Sequence, residues 1–295
     1  MPIAPSVGPN RTRVLLGAAA VLVVAALIAA FVLVGRHESR ETATPGRVSP
    51  AASATPSAPA SFAVHPLEAA AAPDGLMTIK YAKGPSGLPA DPDQTSTEAL
   101  TEGLHPTKSL VLYDAPGGKP RAYLPPKISG LRTLVPIAAR ENGWTAVLVP
   151  SVNRRIGWIP DDAGFTTEEL HDQIVVRLGK HTLTWLRDSE IKDSWTVGVG
   201  TAATPTPLGR TYVMGQTGTS GEVYAGLDAL VLGSVPEDPD SMAEVFQLAH
   251  TGIHAWYRSS TFGKSASNGC VRMPKAAQKT LLAEVPSGTP ITILP

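Results

Sequence analysis

Proline and glycine interrupt this chain so often that short strands and turns are favoured over long helices. The 295 residues include 28 prolines and 27 glycines, and many of them stand between short apolar runs. Proline removes a backbone donor and glycine accommodates tight turns, so this spacing is typical of short strands joined by turns. The sequence therefore predicts a mainly β fold.

One segment near the N-terminus departs from this pattern. Val14 to Val34 is a run of 21 residues that is apolar apart from Gly17, long enough at ~1.5 Å per residue to cross a ~30 Å hydrocarbon core. We expect a single transmembrane helix at 14–34 and a cytoplasmic tail at 1–13. A secretory signal peptide has a shorter apolar region, so cleavage is the less favoured alternative. The rest of the chain is expected on the extracytoplasmic, cell-wall side of the cell membrane.

The next part of the chain is predicted to be a linker, at 35–65. Alanine, proline, serine and threonine predominate from Thr42 to Ala63, and such a composition cannot form a core. Residues 66–107 give no clear pattern and stay unassigned. The chain has 25 basic and 25 acidic residues and a formal net charge of zero, which argues against a nucleic-acid-binding protein.

Residues 108–160 are predicted to form a small barrel of five short strands. Apolar runs alternate with turns at 110–113, 116–118, 131–138, 141–143, 144–148 and 156–159. Gly143-Trp144-Thr145 and Gly157-Trp158-Ile159 resemble the bacterial SH3-like domains attached to cell-wall enzymes. The resemblance implies a role in binding the wall or presenting substrate, and a simple packing module is the alternative.

Residues 173–295 are predicted to form a second β-rich domain that contains one helix. Pro274 takes a plausible first helical position, no breaker interrupts 276–284, and Pro286 follows the end. Short strands are predicted at 174–178, 182–186, 195–200, 211–215 and 291–294, the first two forming a hairpin.

Cys270 is the only cysteine of the chain and lies in the polar, glycine-bearing segment Ser267-Asn268-Gly269-Cys270-Val271-Arg272. A thiol of pKa ~8.5 needs a neighbouring base or positive charge to react at neutral pH. His254 is a candidate base and Arg272 a candidate positive charge. An apolar run that starts at Val245 predicts that His254 lies on a strand. Cys270 is therefore a candidate nucleophile.

The order of histidine and cysteine narrows the class of enzyme. All seven histidines precede Cys270, whereas papain-type peptidases place the histidine after the cysteine and are excluded. Sortases share the order, but they carry Thr-Leu-x-Thr-Cys and a more distant histidine. His250 lies on the same face as His254 if the strand is regular, and we favour a packing role for it. The chain has no second cysteine, and His250 and His254 form its one His-x-x-x-His pair near carboxylates. Zinc binding by this pair is the less favoured interpretation, and no cofactor is predicted.

Two segments together resemble the active-site signature of the YkuD-type L,D-transpeptidases: Gly252-Ile253-His254-Ala255 and Ser267-Asn268-Gly269-Cys270-Val271-Arg272-Met273. The Thr-Pro-Thr-Pro-Leu-Gly segment at 204–209 is similar to the family's Thr-Pro-x-Gly turn. The resemblance covers about 120 residues and implies a YkuD-type β-sandwich in which Cys270 is the nucleophile and His254 the base. Ala255 departs from the usual Gly or Ser, and Asn268 from the histidine of many relatives.

The same resemblance implies roles for neighbouring residues. The carbonyl of Ala255 is expected to orient the imidazole, and the amides of Gly269 and Cys270 to bind the oxyanion. Arg272 is either a loop-ordering residue or a substrate clamp. The candidates of the cysteine loop are Ser267, Asn268, Gly269 and Arg272. The candidates for the substrate cleft are Tyr224, Trp256 and Arg258, of which Tyr224 suits the core equally well.

The implied activity is the formation of 3-3 cross-links in peptidoglycan through a cysteine acyl-enzyme on tetrapeptide stems. The implied partners are donor and acceptor stem peptides, with carbapenem β-lactams as acylating inhibitors. Two alternatives stay open: an L,D-carboxypeptidase on the same stems, and a non-catalytic protein that binds the cell wall.

Overall fold

The structure is a computed structural model of the chain. The residues it describes are 66–217, 224–241 and 244–295. The predicted tail, transmembrane helix and linker, at 1–13, 14–34 and 35–65, lie outside them. No helix within the described ranges is long and apolar enough to cross a membrane.

A seven-stranded antiparallel sheet forms the first part of the described chain. Its residues lie in β1 (Glu102–Pro106), β2 (Leu110–Tyr113), β3 (Pro120–Leu124), β6 (Val135–Glu141), β7 (Trp144–Leu148), β8 (Ile156–Pro160) and β9 (Phe165–Glu169), with β4 (Lys127–Ile128) and β5 (Leu131–Arg132) as a separate hairpin. The strand order is β3-β2-β8-β7-β6-β1-β9. The expected single strand at 131–138 is wrong, because β5 ends at Arg132 and β6 begins only at Val135. Strands β1 and β9 come from outside 108–160, and the SH3-like resemblance stays a prediction.

An eight-stranded mixed sheet forms the second part. Its residues lie in β10 (Asp172–Arg177), β11 (Thr182–Arg187), β12 (Glu190–Thr196), β14 (Gly209–Thr217), β15 (Ala229–Leu232), β16 (Gly252–Ala255), β18 (Val271–Met273) and β19 (Pro290–Leu294), with β13 (Val199–Gly200) and β17 (Ser265–Ser267) as a separate parallel pair. The order is β12-β11-β10-β19-β14-β15-β16-β18. The predicted hairpin of β10 and β11 is confirmed, as is the mainly β fold of the described residues.

In the hairpin of β6 and β7, the local sequence determines the turn, and tertiary packing determines which residues are buried. Asn142 and Gly143 both have positive φ, 47° and 83°, as a two-residue hairpin turn requires. The predicted alternation along β7 is wrong, because all five of its residues are buried. Trp144 donates a hydrogen bond from Nε1 to the Leu67 carbonyl, and the core of this sheet includes Tyr212 of the second sheet. Both faces of β7 are therefore covered.

Two α-helices lie between strands of the second sheet in the described part of the chain. The helix predicted at 276–284 is confirmed as α2 (Lys275–Glu284), but Pro274 is its N-cap and not its first residue. The run from Val245 was expected to continue as a strand, and this is wrong: Glu244–Gln247 forms the short helix α1. A five-residue run with four apolar residues does not distinguish helix from strand by its period.

The unassigned segment 66–107 packs against the second sheet by long-range bonds. Asp91 forms a bidentate ion pair with Arg210 of β14, and both side chains are buried. The Gln173 side chain donates to the Thr97 carbonyl at 2.9 Å. This segment therefore belongs to the folded unit that carries Cys270.

Candidate active site

Cys270 lies in the loop between β17 and β18, where its residue is part-exposed. Gly269 precedes it with φ +102°, a conformation that favours glycine. A Cβ at that position would lie 3.3 Å from the Pro205 carbonyl oxygen. A glycine at 269 therefore suits both the backbone conformation before the thiol and the close approach of the Pro205 carbonyl.

The Ser267 side chain holds this loop closed. It is almost fully buried, its Oγ donates to the Cys270 carbonyl at 2.5 Å, and it accepts the Gly269 N–H at 3.2 Å. Asn268 is exposed. The Gly269 N–H is therefore engaged within the loop, and it can bind an oxyanion only by sharing or releasing Ser267.

His254 lies on β16, which runs parallel to and beside β18. Its Nδ1 is 2.8 Å from the Ala255 carbonyl oxygen. A carbonyl only accepts, so Nδ1 carries the proton and Nε2 keeps its lone pair. The pKa of His254 is lowered to about 4, mainly by burial; the bond to Ala255 opposes this shift and the charge of Arg272 adds to it. The ring is thus a neutral base at neutral pH.

The Cys270 thiol is kept protonated in the resting site. Burial raises its pKa, against the lowering effects of a hydrogen bond from the Gly252 N–H and of the nearby Arg272 charge. With His254 also neutral, the site holds a thiol and an imidazole rather than an ion pair. Proton transfer must then accompany attack by the sulfur.

The Arg272 guanidinium packs over the ring of Trp256 in the candidate site. Its Cζ lies 3.7 Å from the centroid of the Trp256 ring, a cation–π contact, and its Nη1 donates to the Ala266 carbonyl at 2.7 Å. Its backbone pairs with Gly198. Arg272 Nε and Trp256 Nε1 are buried without a hydrogen-bond partner among the described residues. Arg272 therefore bonds to β17, the strand that leads into the cysteine loop, while its Nε has no acceptor among the described residues.

Two aromatic side chains, Tyr224 and Trp256, pack against the imidazole, and Tyr257 packs against Trp256. These three are called here the aromatic cluster. Tyr224 packs edge-on to His254 at 4.6 Å between ring centroids, and Trp256 lies 5.6 Å from His254 and 5.3 Å from Tyr257. Arg258 stacks over Tyr257 at 5.0 Å and is exposed. The three cleft candidates from the sequence are thus in or beside this cluster.

The turn at 204–209 contacts the cysteine loop through a side chain. The sequence had indicated this turn but had not assigned that contact to it. Thr204 Oγ1 donates to the Ser267 carbonyl at 3.0 Å, and Thr206 Oγ1 accepts the Gly200 N–H at 2.9 Å. The quoted family turn was the available signal. It did not reveal which atoms bridge to a loop 63 residues away.

His250 is not part of β16, which begins at Gly252. Its ring is buried and both nitrogens face carbonyls, Nδ1 that of Leu232 at 2.6 Å and Nε2 that of Tyr81. Burial lowers its pKa. His250 therefore joins the segments around Leu232 and Tyr81.

The described residues contain no group of three or more His, Cys, Asp or Glu side chains that could hold a metal ion.

Residues 171–293 match the family model of the L,D-transpeptidase catalytic domain, YkuD. The matched segment holds the thiol, the imidazole, the aromatic cluster and the turn at 204–209. The match supports a YkuD-type catalytic domain over this part of the chain.

Among individual proteins, the chain is similar to YkuD of Bacillus subtilis (strain 168), with 29% identity over 120 residues, which is 41% of this chain and 64% of that protein. The chain thus spans just under two thirds of this curated relative. Solved structures with some similarity include an L,D-transpeptidase from Mycobacterium smegmatis (14% identity, 55% of this chain, 82% of that chain, TM-score 0.36) and the catalytic domain of the E. faecium L,D-transpeptidase (23%, 41%, 95%, TM-score 0.31). A third, LdtMt1, was solved with imipenem (14%, 51%, 90%, TM-score 0.35).

Proposed function

We propose that this chain is a peptidoglycan L,D-transpeptidase that forms 3-3 cross-links through an acyl-enzyme on Cys270. The observation that carries the proposal is that Cys270 directly precedes β18 while His254 lies on the neighbouring strand β16, with the imidazole proton fixed on Nδ1 by Ala255, inside a segment that matches the family. A thiol with an adjacent neutral base is the arrangement that nucleophilic acyl transfer needs.

In the proposed acylation step, the Cys270 sulfur attacks the carbonyl of the diamino acid at stem position three. His254 Nε2 takes the thiol proton and passes it to the nitrogen of the departing D-alanine as the C–N bond breaks. The oxyanion is placed at the Cys270 amide, with the Gly269 amide as a second donor once it is shared with Ser267. One such donor is worth about 3 kcal/mol in the transition state.

In the proposed transfer step, the side-chain amine of an acceptor stem attacks the thioester carbonyl. Its proton passes to His254, and the sulfur leaves as a thiol that regains a proton from the imidazole. Water in place of the amine gives a tripeptide instead of a cross-link. The carboxypeptidase therefore differs from the transpeptidase only in this second step.

The setting of the enzyme is part of the same proposal. We place the catalytic part on the cell-wall side of the membrane, anchored through 14–34, because peptidoglycan stems are found there. A wall-binding role for the SH3-like segment at 108–160 also stays a proposal. A purely wall-binding protein is the less favoured function, because it has no use for a buried neutral histidine beside a lone thiol.

The test is the mass of the intact full-length chain after exposure to imipenem or to a tetrapeptide stem. We expect one acyl adduct that maps to Cys270 and is absent from Cys270→Ala. An adduct on another residue, or one that persists in Cys270→Ala, would refute the mechanism. Muropeptide analysis then separates the two reactions: 3-3 dimers indicate transfer, and tripeptides without dimers indicate the carboxypeptidase.

A further inference from the structure

Thr201 and Thr204 join their hydroxyl groups just before and within the turn at 204–209, and they are called here the threonine pair. Their Oγ1 atoms lie 2.9 Å apart, and the Thr204 N–H donates to Thr201 Oγ1 at 3.1 Å. Thr204 Oγ1 gives its one hydrogen to the Ser267 carbonyl at 3.0 Å, so the hydrogen between the two hydroxyls comes from Thr201. The hydrogen bonds therefore run in one direction, from Thr201 through Thr204 to Ser267.

The Ser267 carbonyl accepts a second hydrogen bond from the threonine pair. The Thr201 N–H donates to it at 3.2 Å. A carbonyl oxygen has two lone pairs, so the pair engages both of them. Hydrogen bonds that follow one another in a chain polarise and strengthen each other. The orientation of the Ser267 carbonyl therefore depends on hydroxyl groups that lie outside the cysteine loop.

Ser267 connects this arrangement to the cysteine loop through its side chain. Its Oγ donates to the Cys270 carbonyl and accepts the Gly269 N–H. The peptide bond that joins Gly269 to Cys270 lies between these two groups and carries the Cys270 N–H. Because each peptide group is planar, fixing the groups on both sides of this one restricts the direction in which the Cys270 N–H points.

The same part of the chain is held against the cysteine loop at two further points. A Cβ at Gly269 would lie 3.3 Å from the Pro205 carbonyl oxygen, so the turn and the loop are in close contact there. Gly200 pairs with Ser267 in the parallel pair of β13 and β17, and its N–H donates to Thr206 Oγ1 at 2.9 Å. The threonine pair therefore lies between two fixed contacts.

Acyl transfer makes a demand on this loop that simple alkylation does not make. When a thiol attacks a carbonyl, negative charge develops on the carbonyl oxygen, and donors that already point at this oxygen stabilise the transition state. Displacement at a saturated carbon, as in alkylation by iodoacetamide, forms no oxyanion. A residue that only orients the Cys270 N–H should therefore affect acylation and leave alkylation unchanged.

We propose that Thr201 and Thr204 are positioning residues: through Ser267 they hold the Cys270 amide in the direction that binds the oxyanion of acyl transfer. This inference rests on the proposed function. It assigns a role in the reaction to two hydroxyl groups that act through another residue.

The test uses the full-length chain and compares two reactions of the same sulfur. Acylation by imipenem, followed by intact mass, needs the oxyanion donors, whereas alkylation by iodoacetamide needs only the thiol and its base. Release of the terminal residue from a tetrapeptide stem gives kcat and KM. Thr204→Val removes the hydroxyl with little change of shape, and Thr204→Ser restores it.

Thr184→Val is the matched control. Thr184 is a part-exposed threonine of β11, and its hydroxyl lies 3.1 Å from that of Ser194. Strand β11 is next to the edge of the eight-stranded sheet that is opposite to β18. The control therefore loses the same kind of hydroxyl contact at a distance from the cysteine loop.

We expect Thr204→Val to lower the acylation rate and kcat about fivefold or more, the usual effect of losing one hydrogen bond. KM should change by less than about twofold, because the lost interaction acts in the transition state. The alkylation rate should stay within about twofold of wild type, as should every rate of Thr204→Ser and Thr184→Val.

Two further variants test whether the threonine pair acts through Ser267. Thr201→Val removes the donor to Thr204 Oγ1 but keeps the Thr201 N–H, so it should lower acylation less than Thr204→Val and again spare alkylation. It also provides the comparison if Thr204→Val does not fold. Adding Thr204→Val to Ser267→Ala should cost little beyond Ser267→Ala alone, because both changes act on the same loop. Losses that multiply would overturn the inference.

Equal losses of acylation and alkylation would make Thr204 a packing residue and overturn the inference. No loss of acylation, or a loss that Thr204→Ser does not restore, would overturn it as well. These outcomes leave the transpeptidase proposal intact, because the wild type is acylated at Cys270 in all of them. A wild type that neither imipenem nor the tetrapeptide acylates at Cys270 overturns the proposed function and this inference together.

Discussion

His254 and Arg272 face each other as register partners across the parallel strands β16 and β18. This pairing sets the imidazole and the guanidinium side by side at the edge that carries Cys270. The positive charge of Arg272 adds to burial in lowering the pKa of His254, and it also lowers that of Cys270. The same cation therefore favours a neutral base and a more acidic thiol.

The first prediction concerns the pH dependence of acylation. Burial lowers the pKa of His254 to about 4, so the base stays neutral and competent well below its ordinary titration range. We expect kcat/KM for acylation of Cys270 to hold down to about pH 5 and to fall with an acid limb near pH 4. Stopped-flow or mass-based acylation rates between pH 3.5 and 8 would measure this. An acid limb near pH 6.5 would contradict it.

The second prediction concerns stability. A buried histidine whose pKa is lower in the folded than in the unfolded state binds fewer protons when folded, so stability is lost as the pH falls from the unfolded pKa, ~6.5, towards the folded one. For His254, with a pKa of about 4, the loss across this window is about 3 kcal/mol. Urea unfolding at pH 7 and pH 4.5 measures it. His254→Gln should show a smaller difference, and an equal difference would rule out this assignment.

The third prediction tests the two hydrogen bonds that the Ser267 side chain makes within the cysteine loop. Ser267→Ala removes the donor to the Cys270 carbonyl and the acceptor of the Gly269 N–H. Leaving such buried groups unpaired costs about 1–3 kcal/mol. We expect kcat to fall about tenfold with little change in KM, since the loop geometry at the sulfur is lost and binding is not. Ser265→Ala, an exposed serine of the same strand β17, is the control, and a similar loss there would refute the specific role of Ser267.

The fourth prediction tests the backbone before the thiol. Gly269 has φ +102°, and a Cβ there meets the Pro205 carbonyl oxygen at 3.3 Å. Gly269→Ala should therefore destabilise the fold by about 1–3 kcal/mol and lower the acylation rate. Gly263 also has positive φ, but a Cβ added there would lie 3.5 Å from Thr196 Cγ2, an ordinary contact distance. Gly263→Ala should therefore keep the activity. Thermal unfolding and acylation rates would separate them, and equal rates for both variants would contradict the prediction.

The sequence identified Cys270 and His254 as the candidate pair, but it did not identify the residues that pack around them. Cys270 and His254 follow from residue type, order and a short motif, which are local signals. Thr204 reaches the site by its contact to Ser267, 63 residues away along the chain. Periodicity carries no information on such pairings, because they depend on how two sheets pack.

The fold divides in the same way. The hairpin of β10 and β11 was predictable because the Gly179-Lys180 turn joins two short apolar runs. The burial of all of β7 was not, because its second face is covered only when Trp144 meets Leu67 and the second sheet packs on the first. Short apolar runs such as the one at Val245 do not fix helix or strand by themselves.

The last prediction tests the ion pair that ties 66–107 to the catalytic domain. Asp91 and Arg210 are both buried and joined by two hydrogen bonds. Asp91→Ala leaves the Arg210 charge buried without this partner, which costs about 3–5 kcal/mol. Because the pair ties this segment to β14, we also expect faster proteolysis within 66–107. Urea unfolding followed by tryptophan fluorescence measures the first effect and limited proteolysis the second.

Asp93→Ala is the matched control for this pair. Asp93 lies 3.8 Å from the same guanidinium, but its side chain is 61% exposed. An exposed pair contributes about 0–1 kcal/mol, so Asp93→Ala should stay close to wild type in both measurements. If Asp91→Ala were no less stable than Asp93→Ala, the segment would be held by its backbone contacts alone, such as that of Thr97 with Gln173. The Asp91–Arg210 pair would then fix where the segment 66–107 packs without adding to the free energy of unfolding.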